Sequence, residues 1–245
     1  MQADYASISM PGGRPVNEDS IISVQTDRDW LFVLCDGLGG HLCGDEASKC
    51  VCAEMKRSFL TVSDPDPERR LRKCVEQSQI ALLEAQKTDS RHSGMRTTLC
   101  AVLISQNSVS SVYIGDSRIY QFRGGRMLSR TLDHSVPQMM VQLGELREEE
   151  IRGNENRNRL LRAMGMPWEI PQYEVWKPAE DAAPGDVFLL CSDGFWEWIL
   201  ESEMEHALMD SAGVGQWLSE MERIVRRAGK KQTADNYSAI ALKII

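Results

Sequence analysis

Basic residues are in short supply: 28 Lys and Arg stand against 36 Asp and Glu, leaving a net charge of −8 at pH 7. A surface of that sign is not built to neutralise a nucleic-acid backbone, so nucleic acid is not an expected partner. Long apolar runs are also missing. None approaches the ~18 residues needed to span a bilayer, and Met1 to Tyr5 carry no basic segment followed by an apolar one. No membrane contact is expected, and the cytoplasm is the expected compartment. Cysteine motifs are absent too. Cys35, Cys43, Cys50, Cys52, Cys74, Cys100 and Cys191 are odd in number, and most lie in apolar runs such as Leu31 to Cys35 and Phe188 to Cys191. Cys50 and Cys52 are the only close pair, with no CxxC near histidines, so the expectation is reduced core thiols and no structural zinc site. No internal repeat, low-complexity tract or linker divides the 245 residues, which are expected to form a single domain over 1–245.

What is present is periodicity. Apolar residues alternate or run on in Ser20 to Gln25, Trp30 to Cys35, Thr97 to Ser105, Ser108 to Ile114, Arg118 to Phe122, Val187 to Cys191 and Tyr237 to Ile244, which predicts strands. Turn signals at Gln106-Asn107 and Gly124-Gly125 predict antiparallel pairing. Gly44 to Leu60 and Pro67 to Lys87 have helical spacing, broken by Pro65 and Pro67, and predict consecutive antiparallel helices. Val136 to Leu143, Glu148 to Arg152, Glu201 to Met209 and Val214 to Ala228 are also helical by pattern. The expected fold is α+β: a sandwich of two mostly antiparallel sheets flanked by antiparallel helix pairs, in α-β-β-α layers.

The chemistry lies in acids beside glycines at strand ends. Asp36-Gly37 follows one buried strand, Ser192-Asp193-Gly194 another, Gly115-Asp116 joins two strands, Asp235-Asn236 precedes the last, and Glu18-Asp19 opens the second. An aspartate at a strand end is rigidly aimed, and glycine lets backbone carbonyls approach an ion. Any one such motif is read most simply as a turn former. Together they form the oxygen donor set that hard divalent cations prefer. An acidic protein handling an anion needs such cations, or a few placed arginines, to oppose repulsion locally.

These motifs resemble the metal-dependent serine/threonine phosphatases of type 2C, in that family's order: Arg14-Pro15-Val16-Asn17-Glu18-Asp19, Asp36-Gly37-Leu38-Gly39-Gly40, Thr97-Thr98-Leu99, Gly115-Asp116-Ser117-Arg118, Asp133-His134-Ser135, Ser192-Asp193-Gly194 and Asp235-Asn236. The likeness runs from about Gly13 to Ala241, and the stretch from Asp133-His134-Ser135 to Arg162-Ala163-Met164-Gly165 looks like the bacterial branch. The resemblance implies hydrolysis of phosphoserine and phosphothreonine in proteins by water activated between two Mn²⁺ or Mg²⁺ ions, opposing a serine/threonine kinase in bacterial signalling or secretion control. It implies that Asp36 bridges the ions, that the Gly37 carbonyl binds one and that Asp193 and Asp235 complete the other. Asp116 matches the ligand of a third, weaker ion. Glu18 and Asp19 match acids that orient metal-bound waters, and Arg14 the phosphate-gripping arginine, a role suited to its planar fork. Arg14, Glu18 and Asp19 are thus the candidate catalytic residues.

The chain departs from the family in places. Leu38 stands where animal and plant members have a histidine thought to protonate the leaving alcohol, so the general acid is unassigned. His41 is expected to serve structure or helix start, and His134 the turn after a strand. Arg96 replaces a common glycine and is read as a solvated side chain in preference to a second phosphate contact. Trp196 and Trp198 are read as packing residues. The charged segment at about 139–166 matches a mobile flap over the site. Two other readings stay open: a catalytically weak module that binds phosphoproteins, and a two-metal hydrolase of other phosphoesters.

Overall fold

A computed structural model describes residues 1–38, 43–105, 108–229 and 235–245. The predicted turn at Gln106-Asn107, Gly39-Gly40 and His41 lie outside the described residues. The strands are β1 (Ala3–Met10), β2 (Asp19–Gln25), β3 (Trp30–Asp36), β4 (Leu99–Ser105), β5 (Ser108–Ile114), β6 (Arg118–Arg123), β7 (Arg126–Arg130), β8 (Glu174–Trp176), β9 (Val187–Cys191) and β10 (Tyr237–Ile244). The helices are α1 (Gly44–Thr61), α2 (Pro67–Thr88), α3 (Val136–Gln142), α4 (Asp193–Trp196), α5 (Glu201–Met209) and α6 (Val214–Ala228), with 3₁₀ turns at Ser90–Gly94 and Glu148–Gly153.

Among the described residues two five-stranded sheets form, ordered β1-β10-β9-β6-β7 and β2-β3-β4-β5-β8, and their strand pairings are antiparallel. The two-residue side-chain period explains the layering. In β3, Leu31, Val33 and Cys35 face α1 and α2, packing with Val51, Met55, Phe59, Leu71 and Leu82. Phe32 and Leu34 face the other way, against Phe188, Leu190, Ile240 and Leu242 of the opposite sheet. In that sheet Val187, Leu189, Ala239 and Ala241 turn outward to meet Met204, Trp217, Met221 and Val225 of α5 and α6. Helices, sheet, sheet and helices thus stack as four layers, the sandwich expected from the pattern.

Local chemistry sets the joints. Asp66 caps α2, its carboxylate accepting from the amides of Glu68 and Arg69, with Pro67 in the first turn. Gly124 and Gly125, at φ 57° and 79°, make the β6–β7 hairpin turn foreseen there. Strands β1, β7 and β8 were not anticipated. Two of these are polar or mostly exposed edges and the third is three residues long. Strand β4 begins at Leu99, two residues later than its apolar run, because Thr97 and Thr98 spend their hydrogen bonds on Asp36.

Candidate active site

Antiparallel pairing brings the end of β3, the start of β2, the β5–β6 turn, the end of β9 and the start of β10 to one rim of the sandwich. Asp19 and Asp36 face each other in register. Asp36 is fixed by its backbone: its amide donates to Thr98 Oγ1 at 3.0 Å, and its carbonyl accepts from Thr97 Oγ1 and the Thr98 amide, each at 2.8 Å. The Gly37 amide donates to the Glu18 carbonyl at 3.1 Å. A Cβ at Gly37 would lie 2.1 Å from the Gly44 carbonyl oxygen, so only glycine lets the start of α1 close on this turn.

Gly194 plays the same part on the other side, where a Cβ would lie 2.0 Å from the Asn236 carbonyl oxygen. That close approach seats Asp235 and Asn236 beside Asp193. Asn236 then ties in the N-terminal loop: its Oδ1 accepts from the Glu18 amide and its Nδ2 donates to the carbonyls of Pro11 and Val16, all at 2.9 Å. Arg14, carried on that loop, reaches Asp235 Oδ2 at 2.8 Å.

Arg14, Glu18, Asp36, Gly37, Asp116, Asp193 and Asp235 line one cavity of about 420 Å³. Asp19 is the exception among the predicted residues. It lies buried at the rim, with Oδ2 accepting from Ser192 Oγ at 2.8 Å and Oδ1 without a protein partner. Burial, then neighbouring carboxylates, push Asp36 and Asp116 well above the ordinary carboxylate range. Burial followed by Asp235 raises Asp193, and burial followed by Asp45 and Asp235 raises Glu18. Asp19 is pushed up to about 7, chiefly by burial, against the bonds from Ser238 and Ser192. Asp19, Asp193 and Asp116 are the carboxylates that add to burial in raising Asp36. Acids crowded this way repel one another unless cations or protons intervene. Among the described residues the donors are carboxylate and carbonyl oxygens, with no thiol or imidazole, and Asp19 keeps a buried oxygen without a hydrogen-bond partner. That set fits Mg²⁺ or Mn²⁺.

The cavity wall also contains Leu38, Arg96, Asn158, Leu160, Ala163, Met166 and Asn236. Arg96, expected to be merely solvated, thus faces the site, and its carbonyl accepts from the Leu38 amide at 3.0 Å. Trp196 is a packing residue as expected, but it also holds the site: its indole N–H donates to the Asp116 carbonyl at 3.0 Å, and the buried Arg118 lies 3.4 Å above its ring. Trp198 is part-exposed at 37%. His134 Nδ1 accepts from the Gly115 amide at 3.1 Å, and its ring stacks on Tyr113 at 4.8 Å, holding the turn that carries Asp116. Glu197, one helical turn after Asp193, was not anticipated; burial and then Asp193 push it up to about 7. Its spacing from Asp193 in the sequence is the signal that could have found it.

The sequence profile of the protein phosphatase 2C family matches residues 13–237. The chain belongs to that family. It is a metal-dependent protein phosphatase of type 2C, and its four-layer sandwich is that of bacterial members. The serine/threonine phosphatase stp of Listeria innocua is 29% identical over 186 residues, spanning 74% of this chain and 73% of that protein. The crystal structure of the catalytic domain of the serine/threonine protein phosphatase PstP, in complex with two manganese ions, is similar with a TM-score of 0.82 at 29% identity, covering 99% of this chain and 98% of that one. The phosphatase Stp1 from Staphylococcus aureus is similar with a TM-score of 0.87 at 25% identity, covering 100% of this chain and 96% of that one. Among the described residues no helix is long and apolar enough to cross a membrane.

Proposed function

We propose that this type 2C phosphatase hydrolyses phosphoserine and phosphothreonine in proteins at the acidic cavity, with Asp36, the Gly37 carbonyl, Asp193 and Asp235 holding two Mn²⁺ or Mg²⁺ ions and Asp116 a third, weaker one. The convergence of these acids in one cavity with Arg14 at its edge is the observation that carries the reading. The ions, when bound, supply an activated water and neutralise charge on the phosphoryl oxygens. Arg14 grips the phosphate through its fork and stabilises the charge that grows as the ester bond breaks. Glu18 and Asp19 orient water by accepting hydrogen bonds from it; Ser192 keeps Asp19 aimed. Leu38 offers no proton, so the leaving alcohol draws on water.

Residues 139–166 act as the flap. Support comes from Asn158, Leu160 and Ala163 in the cavity wall and from Arg152 and Arg157, which pair with Glu201 and Glu197 at 2.8 and 2.9 Å. The setting proposed is cytoplasmic signalling opposed to a serine/threonine kinase; free thiols at all seven cysteines suit a reducing compartment.

The test is a comparison of phosphothreonine and phosphoserine peptides with nucleoside monophosphates at fixed manganese. Preference for the peptides supports the reading. Faster release from nucleotides points to a general phosphoesterase, and binding of phosphopeptide without turnover points to a binding module.

A further inference from the structure

Away from the acidic cavity, Cys43, Glu46 and His92 bring a thiol, a carboxylate and an imidazole together, with one ligand atom from each lying within 4.8 Å of the others. Cys43 precedes α1 at its N-cap and holds φ at 71°, the one non-glycine with positive φ among the described residues. Glu46 sits in the first turn of α1, and His92 comes from the distant 3₁₀ turn at Ser90–Gly94. His92 Nε2 stands 3.0 Å from Glu46 Oε2. Its other nitrogen, Nδ1, is 3.2 Å from Thr88 Oγ1, whose own proton goes to the Ala85 carbonyl at 2.7 Å. Thr88 therefore accepts from Nδ1–H, and Nε2 is left to face Glu46 and Cys43. A hydroxyl that fixes the tautomer behind the ligating nitrogen is the outer-shell arrangement of metal-binding histidines.

We propose that Cys43, Glu46 and His92 form a second metal site, for a borderline divalent cation of the zinc class, with solvent as fourth ligand. The donors are sulfur, nitrogen and oxygen, in contrast to the all-oxygen cavity, so the two sites select different ions. Binding releases the Cys43 thiol proton to solvent, and a second proton when the imidazole is charged. No spacing motif announces the site, because its ligands come from segments far apart in the chain. Gly44 follows Cys43 directly and packs on Gly37, so an ion here clamps the start of α1 against the 3₁₀ turn, next to the backbone that shapes the catalytic rim.

The experiment is a cobalt(II) titration of the chelator-treated 245-residue chain, read by thiolate-to-cobalt charge-transfer absorption and reversed by zinc. The expected result is a band in the wild type and in Asp193→Asn, which separates this site from the catalytic reading, and its complete loss in Cys43→Ser. Thr88→Val should weaken zinc binding by about 10–100-fold, with His92→Asn and Glu46→Gln weakening it at least as much; these variants serve if Cys43→Ser does not fold by circular dichroism. No band in the wild type, a band that persists in Cys43→Ser, or unchanged zinc affinity in His92→Asn overturns the proposal.

Discussion

Arg14 Nη2 donates to Asp235 Oδ2 at 2.8 Å, joining a residue near the start of the chain to one just before the last strand. Both side chains are substantially exposed, at 55% and 40%, so the pair contributes under ~1 kcal/mol to folding. Its importance is positional, because it holds the guanidinium at the mouth of the acidic cavity. Arg14→Ala is expected to leave the urea midpoint nearly unchanged while lowering kcat/KM on a phosphopeptide by roughly 10–100-fold, the size of a charged hydrogen bond. Arg14→Lys restores charge without the fork and should recover only part.

Gly37 and Gly194 are expected to be intolerant of even a methyl group. A Cβ at either would lie 2.1 and 2.0 Å from a backbone carbonyl oxygen, deep inside van der Waals contact, and a backbone cannot swing aside as a flexible side chain can. Gly194→Ala should lose on the order of 3 kcal/mol in denaturant melts and bind manganese more weakly in calorimetry, because Asp235 must move. Gly213→Ala, where nothing lies within 4 Å of the added carbon, is the control expected to be mild.

Arg118 and Asp133 form a buried fork-to-carboxylate pair at 2.8 and 2.7 Å under Trp196. Removing one partner strands the other charge in the core, so Arg118→Met should cost about 3–5 kcal/mol. The double variant Arg118→Met/Asp133→Leu should recover much of that loss in thermal melts. Manganese-dependent turnover would still fall in the double variant, because Trp196, which bonds the Asp116 carbonyl, loses the cation above its ring.

The pH response carries a signature of His134. Burial holds this imidazole below its ordinary value of 6.5, outweighing the nearby Glu174 carboxylate. Its Nδ1 must stay unprotonated to accept the Gly115 amide. The unfolded chain therefore takes up the proton first, and folded stability drops as pH falls through about 6.5, levelling off once the folded form protonates too. His134→Gln, which cannot titrate, should show a smaller loss between pH 7.5 and 5.5 than the wild type in urea titrations run at both pH values.

Much of this was legible in the sequence where one local signal sufficed. The nearly continuous apolar runs of Trp30 to Cys35 and Tyr237 to Ile244 marked strands because both faces of those strands are buried. The acids at strand ends stood beside glycines that the close approaches at Gly37 and Gly194 require. Less visible was whatever depends on distant neighbours. Strand β1 is an edge beside β10, with Tyr5 and Met10 partly exposed, and the three-residue β8 is the edge beside β5. Asn236 reads as a turn residue until its amide is seen tying Pro11, Val16 and Glu18 together. Arg96 lines the cavity beside Leu38, whose amide bonds its carbonyl, a placement no spacing reveals. The Cys43 cluster is hidden for the same reason.

The acidic cavity is proposed as the place where divalent cations and phosphate meet. The most direct test measures phosphate release from a phosphothreonine peptide with manganese, for wild type, for Asp193→Ala and for wild type after chelation, alongside calorimetric manganese binding to the first two. Turnover is expected in the wild type only, with weakened manganese binding in Asp193→Ala and activity restored to the chelated wild type when the ion is returned. Undiminished turnover in Asp193→Ala, or turnover that survives chelation, would contradict it.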